Sequence, residues 1–185
     1  MRNASLQSAA VAFAILLASC APVGEAQVAT DQASAREASA AAFDAAPDTS
    51  GSGPFPAIRD VRANLPDHLV YRPDDLDAVA DGQLGVVLWG NGGCSADAAS
   101  ARFHLLEIAS HGYVAIAPGK AYSGPGALPE PPREAPPTEG AFPPVQTMPA
   151  DLLAGLDWIL AENERAGGPF YGRIDPAKVA VAGHS

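Results

Sequence analysis

Positive charge is scarce in this chain: 11 Lys and Arg stand against 21 Asp and Glu in 185 residues, and the formal net charge is −10. No basic run occurs anywhere. Phosphate contacts need clustered Lys and Arg, so the composition excludes a nucleic-acid surface and predicts no nucleic-acid partner. Aromatic residues are only 6%, whereas Gly and Pro each number 18, which predicts a small-residue-rich globular domain with long irregular stretches.

The N-terminus lacks an apolar run long enough to span a bilayer. The run Ala9–Leu17 is too short for a mature transmembrane helix, and it follows Arg2 without a twin-Arg pair, which predicts a Sec signal peptide over residues 1–19. It ends in Leu-Ala-Ser-Cys, which resembles the lipobox of bacterial lipoproteins. The resemblance implies lipidation of Cys20 and a membrane tether. The alternative is a plain secretory signal cut near Ala26. We therefore expect an exported protein, either a periplasmic or cell-envelope lipoprotein or a secreted one.

Cysteine is almost absent, since Cys20 and Cys94 are the two in the sequence. If Cys20 carries lipid, Cys94 has no partner in this chain. It is then either a buried small apolar residue or half of a disulfide whose partner lies elsewhere.

Large apolar residues are nearly missing from residues 20–52, where Ala, Ser, Asp and Gln dominate. Such a stretch buries too little surface to offset its ordering entropy, so it predicts a flexible linker with transient helix over 33–46. The folded domain is expected over residues 53–185.

Within that domain, apolar runs and helical periods alternate. Buried strands are predicted at His68–Tyr71, Gln83–Trp89, Tyr113–Ala117 and Lys178–Ala182. A helix is predicted over Ser95–Ser110, with Ser95 as its N-cap, and another from Pro149 to the Gly167-Gly168 stop. Between them, residues 121–147 form a Pro-rich loop, either at an active site or as a surface insert. This alternation predicts an α/β fold with a mostly parallel sheet flanked by helices.

Two short motifs carry the chemistry. The last predicted strand ends in Gly183-His184-Ser185, as in the strand-to-helix turn that exposes a nucleophilic serine. The strand Gln83–Trp89 ends in a turn of sequence Gly-Asn-Gly-Gly, whose backbone amides can approach a developing oxyanion closely. A plain strand-to-helix connection is the alternative for this turn. A dinucleotide-binding loop is excluded because Ser95 stands where that motif needs its last Gly.

Together, WGNGGC after a strand, IASHGY at a helix end and IDPAKVAVAGHS resemble the α/β-hydrolase superfamily. The closer likeness is to secreted esterases related to dienelactone hydrolases, polyester hydrolases and platelet-activating-factor acetylhydrolases. The resemblance covers about residues 53–185. It implies that Ser185 is the nucleophile and that the Gly93 amide is one oxyanion donor, with the Gly92 or Cys94 amide as alternatives. The implied function is hydrolysis of a small-molecule or polymeric carboxylic ester through an acyl-enzyme.

The remaining triad members are missing from this sequence. In this superfamily the acid and the histidine follow the serine, so chain order argues against His68, His104 and His111, and adjacency does not make His184 the base. We expect the 185-residue chain to be incomplete at its C-terminus, inactive and poorly folded. The alternatives are a non-catalytic exported lipoprotein or binding protein that reuses the fold, and a degraded gene product.

No cofactor is implied, since this reaction class needs only water and the triad. The acidic residues Asp74, Asp75 and Asp77 predict a solvated turn, because no His or Cys ligands accompany them at metal-binding spacing. No metal site is therefore predicted. Trp89 and Trp158 are interpreted as packing residues.

Overall fold

The computed structural model describes residues 23–132 and 134–184. The chain divides into two compact units, with the boundary after Ala40. Helix α1 spans Val23–Ala45, within the segment for which the sequence predicts a linker. Its Ala-rich composition favours helix, because Ala has the highest intrinsic helix propensity. From Ala41 onward the chain belongs to the second unit, which holds the sheet.

A five-stranded sheet forms the centre of the second unit, in the order β1-β2-β4-β3-β5. Its strands are β1 (Ala57–Asp60), β2 (His68–Pro73), β3 (Leu84–Gly90), β4 (Tyr113–Pro118) and β5 (Ile174–Gly183). The β1–β2 and β2–β4 pairs are antiparallel, whereas β3 pairs in parallel with both β4 and β5.

The prediction of an α/β fold is confirmed. The sheet is mixed, with two parallel and two antiparallel pairs among the described strands, so the structure does not show the mostly parallel sheet that was predicted. The strand at Ala57–Asp60 was not predicted. Only residues 61–67 join it to β2, and a parallel crossover needs a dozen or more residues. Strand β2 then runs antiparallel to β4, so parallel pairing begins only where helices connect the strands.

Two helices cover opposite faces of the sheet. Helix α2 (Arg102–Ser110) contributes Leu105 and Leu106 to one apolar cluster, which also contains Val87 and Trp89 of β3. Helix α3 (Pro149–Glu164) contributes Ile159 and Trp158 to a second cluster, which contains the alternate β3 residues Val86 and Leu88. Because successive residues of a strand point to opposite faces, the continuous apolar run of β3 is buried on both sides.

Helix α2 begins seven positions later than predicted, at Arg102 instead of Ser95. Ser95 Oγ accepts a hydrogen bond from the Asp97 amide at 3.2 Å, and Asp97 Oδ1 accepts one from the Ala99 amide at 2.9 Å. These local bonds give the backbone an alternative to helix over this stretch. Residues 96–98 instead pair in parallel with the segment that follows β4, through an isolated bridge between Asp97 and Lys120.

Among the strands that the structure describes, β5 lies at the edge of the sheet beside β3, and it is longer than predicted. Its side chains are mostly exposed, with Val179 at 38% and Val181 at 68% exposure. Pro176 fits this position, because proline cannot donate to a ladder and is confined to sheet edges or strand beginnings. The register shifts between Leu84 and Val86 of β3, because Leu84 pairs with Ile174 whereas Val86 pairs with Val179.

Candidate functional site

Three strand ends meet at one edge of the sheet. Since β3, β4 and β5 are parallel, their C-terminal residues Gly90, Pro118 and Gly183 lie at the same edge. Gly183 lies opposite Gly90, and the His184 amide donates a hydrogen bond to the Gly90 carbonyl oxygen at 3.0 Å. The two motifs that the sequence singles out therefore start from neighbouring backbone positions.

Gly183 is a position where the fold requires glycine. A β-carbon there would lie 2.7 Å from the Gly90 carbonyl oxygen and 3.3 Å from the Gly90 Cα. Real β-carbons do not approach backbone atoms this closely, so β3 and β5 can lie this near each other only because Gly183 has no side chain. This is the close backbone packing that a strand-to-helix turn bearing a nucleophile needs.

Two of the predicted site residues lie outside the described residues. These are Ser185, the predicted nucleophile, and Cys20, the predicted lipidation site. Their roles remain predictions. The structure describes the chain immediately before Ser185, up to the exposed residue His184.

The turn after β3 is tied to the end of β4 by Asn91. This side chain is 7% exposed, and its Nδ2 donates to the Pro118 carbonyl oxygen at 2.7 Å. The turn closes with a bond from the Ser95 amide to the Gly92 carbonyl oxygen at 2.8 Å. Asn91 was not among the predicted site residues. A polar residue between glycines, directly after a buried strand, is the signal that could have identified it.

Gly93 is free of the constraint found at Gly183. It does not have a positive φ, and a β-carbon there would meet only Val145 Cγ1, at 3.7 Å. That distance is an ordinary van der Waals contact. The fold itself therefore does not require glycine at this position, and the space above its backbone is open apart from Val145.

The end of the Pro-rich loop packs onto the Gly-Asn-Gly-Gly turn. The Gln146 amide donates to the Gly93 carbonyl oxygen at 2.6 Å, and Thr147 Oγ1 donates to the Ser95 carbonyl oxygen at 2.7 Å. The half-buried Cys94 has no disulfide partner among the described residues, and its Sγ lies 3.7 Å from the Pro143 carbonyl oxygen. The loop predicted over 121–147 therefore lies at this edge of the sheet at its C-terminal end.

The described histidines make contacts of other kinds. His68 is buried, and its Nε2 lies 2.8 Å from the Asp151 carbonyl oxygen in the first turn of α3. His104 packs edge-to-face on Trp89. His111 lies 3.1 Å from a Glu107 carboxylate oxygen after α2, at the opposite edge of the sheet. Over residues 23–132 and 134–184, no histidine pairs with a carboxylate beside the Gly-Asn-Gly-Gly turn.

The acidic turn predicted after β2 is exposed and internally bonded. Asp75 Oδ1 accepts a hydrogen bond from the Asp77 amide at 2.9 Å, and the Asp77 carboxylate pairs with Arg173. Among the described residues, no group of three or more His, Cys, Asp or Glu side chains could hold a metal ion. No helix in the described part of the chain is both long and apolar enough to cross a bilayer.

Comparison with known proteins gives little information about this chain. No family model and no curated protein matches the chain. Among solved structures, it resembles an acetyl xylan esterase from Paenibacillus sp. R4, with 20% identity and a TM-score of 0.34. The match covers 79% of this chain and 49% of that protein, so this chain spans about half the length of that esterase. At this TM-score the likeness is a weak one and carries no argument about function.

Proposed function

We propose that this chain carries the nucleophile turn and the oxyanion turn of a serine hydrolase that cleaves carboxylic esters. The observation that supports this most directly is the juxtaposition of Gly183 and Gly90, with the His184 amide bonded to Gly90 at 3.0 Å. Ser185 is the next residue after His184 in the sequence. A serine and a cluster of backbone amides at adjoining strand ends are the two parts that acyl transfer needs from this half of a site.

In the proposed mechanism Ser185 Oγ attacks the ester carbonyl and forms an acyl-enzyme, which water then hydrolyses. The Gly93 amide donates to the developing oxyanion, with the Gly92 or Cys94 amide as alternatives. A serine hydroxyl is a weak nucleophile without a neighbouring base. We propose that an acid and a histidine from residues that follow Ser185 in a longer chain complete the triad. The substrate class is a small-molecule or polymeric ester, and the proposal needs no cofactor.

The proposed setting is the cell envelope. The signal-like N-terminus and the Leu-Ala-Ser-Cys sequence support export and tethering through a lipidated Cys20, with secretion as the alternative. Metabolic labelling with palmitate distinguishes lipidation from secretion. Label on the wild-type protein and none on Cys20→Ala would support lipidation of Cys20.

The experiment for the hydrolase uses the product of the complete reading frame that contains these residues. Hydrolysis of p-nitrophenyl acetate should fall by a factor on the order of 10⁴ or more in Ser185→Ala. Ser100→Ala, at an exposed position before α2, is the matched control and should leave the rate unchanged. Equal activity of the wild type and Ser185→Ala would exclude Ser185 as the nucleophile, whereas no activity of the complete product would favour a binding protein that reuses the fold.

A further inference from the structure

Two adjoining cavities open at the C-terminal end of β4. One has a volume of about 360 Å³ and the other about 300 Å³, and both are lined by His68, Gly119 and Lys120. Volumes of this size lie at the lower end of the range for small-molecule sites. Neither Gly92 nor Gly93 lines them, although Gln146, which lines the smaller cavity, donates its amide to the Gly93 carbonyl oxygen.

The two cavities differ in chemistry. The larger one is mainly apolar on its remaining sides, which are formed by Val61, Pro66, Leu69, Ala121, Gly126 and Leu128. The smaller one adds four polar or charged side chains, namely Asp67, Tyr122, Gln146 and Asp151. Because they share three residues, the pair offers one apolar and one polar compartment to a single ligand.

The shared wall is fixed by backbone hydrogen bonds. The Gly119 amide donates to the Asp67 carbonyl oxygen at 2.7 Å, and the Lys120 amide donates to the Ala96 carbonyl oxygen at 3.1 Å. Gly119 has φ +102°, and a β-carbon there would lie 1.9 Å from the Ala96 carbonyl oxygen, so only glycine fits. Because this wall is already ordered before a ligand binds, little conformational entropy is lost from it on binding.

The charges of the polar compartment select the head group. Lys120 Nζ lies 3.8 Å from the Asp67 carboxylate, and the Asp151 carboxylate accepts a hydrogen bond from the Met148 amide at 2.7 Å. Each of these charged groups already has a partner within the protein, so a charged head group would find no unpaired counter-charge in this compartment. Hydroxyl groups both donate and accept, so a neutral head rich in hydroxyls matches all of these side chains.

We propose that the paired cavities bind a neutral amphiphile, with its apolar chain in the larger compartment and its hydroxyl-rich head in the smaller one. The proposal goes beyond ester hydrolysis and does not depend on it, since it uses neither Ser185 nor the Gly-Asn-Gly-Gly turn. Its failure would leave the proposed hydrolysis untouched.

The test is a binding titration of the product of the complete reading frame that contains these residues, followed by amide chemical shifts. The probes are n-octyl glucoside below its critical micelle concentration, octanoate, octyltrimethylammonium and methyl glucoside. We expect saturable binding of n-octyl glucoside, with shifts at Lys120 and Ala121. The two charged amphiphiles and the chainless sugar should each bind about tenfold more weakly or worse.

A matched pair of variants locates the binding. Leu128→Trp fills the apolar compartment from a side chain that is 51% exposed, whereas Leu153→Trp enlarges a 57% exposed side chain on α3 that lines neither cavity. We expect about a tenfold loss of n-octyl glucoside affinity in the first variant and none in the second. Equal binding of all the octyl probes, an equal response of the two variants, or no saturable binding would overturn the proposal.

Discussion

Gly183 and Gly90 lie directly opposite each other across the β3–β5 pair, and a β-carbon on Gly183 would lie 2.7 Å from the Gly90 carbonyl oxygen. The reverse contact is relaxed. A β-carbon on Gly90 would have its nearest neighbours at 3.8 Å, the Ala182 carbonyl oxygen and Leu152 Cδ2. The close approach of the two strands therefore depends on the glycine that precedes His184.

This asymmetry predicts unequal effects of the same substitution. Gly183→Ala should lower the free energy of unfolding by about 1–3 kcal/mol, because the new methyl group forces the strands apart. Gly90→Ala is the matched control and should change it by less than about 1 kcal/mol. Urea unfolding followed by circular dichroism measures both. Equal effects of the two substitutions would contradict the close approach of β3 and β5 at Gly183.

Gly93 gives the complementary prediction, because the fold tolerates a methyl group there at 3.7 Å from Val145 Cγ1. Gly93→Ala should leave the free energy of unfolding within about 0.5 kcal/mol of wild type. In the product of the complete reading frame it should lower kcat/KM for p-nitrophenyl acetate about 100-fold, because displacing the substrate by about 1 Å misaligns the reacting atoms. A stable variant with full activity would remove Gly93 from the proposed oxyanion site.

The C-terminal end of α1 and the residues just after it form part of the second unit through Arg102. This side chain is fully buried, lies over the Phe43 ring at 3.8 Å and pairs with the Asp48 carboxylate at 3.1 Å. Asp48→Asn should lower the free energy of unfolding by about 1–3 kcal/mol, because the buried guanidinium loses its counter-charge.

The matched control for this prediction is Asp67→Asn. Asp67 is 77% exposed, and its carboxylate lies 3.8 Å from Lys120 Nζ. An exposed pair of this kind contributes about 0–1 kcal/mol, so the variant should unfold close to wild type in urea. If Asp48→Asn were as stable as Asp67→Asn, residues 43–48 would not be part of the folded unit.

Glu162 should make the unfolding free energy fall in acid. Its side chain is 4% exposed, and hydrogen bonds from Arg165, followed by one from Asn64 at 2.9 Å, hold the pKa of its carboxyl below the usual range. Because the folded-state pKa is lowered, the stabilisation is complete above the ordinary glutamate pKa of about 4.3 and is lost as pH falls through the folded-state value.

The measurement is the slope of unfolding free energy against pH below about pH 4.3. Glu162→Gln should flatten this slope, because a glutamine side chain cannot take up a proton when the protein unfolds. Glu164→Gln, at the exposed end of α3, should keep the wild-type slope. Parallel pH profiles for all three proteins would show that Glu162 does not carry this dependence.

The buried strands were predictable from the sequence because their residues are apolar on both faces. Strands β3 and β4 and helix α3 appear where the pattern places them. Strand β1 could not be found in this way, since only Ala57 of its four residues is buried and Arg59 and Asp60 have ion-pair partners outside the strand. The formation of β1 depends on its pairing with β2, and this pairing is a tertiary contact.

The beginning of α2 was mispredicted for a different reason. Side-chain bonds of Ser95 and Asp97 compete locally with helix, and a helical period cannot reveal them. In the candidate site, the meeting of the two glycine motifs follows from parallel pairing of β3 and β5. The role of Asn91 does not follow from this pairing, because its hydrogen-bond partner is a carbonyl group 27 positions away in the sequence.

The most direct test of the central claim is to map covalent labelling of the complete reading-frame product by diethyl p-nitrophenyl phosphate. Peptide mass spectrometry locates the diethylphosphoryl group. We predict one modified peptide, labelled at Ser185, with loss of labelling in Ser185→Ala and retention in Ser100→Ala. Labelling at another serine, or no labelling of the folded protein, would contradict the assignment of Ser185 as the nucleophile.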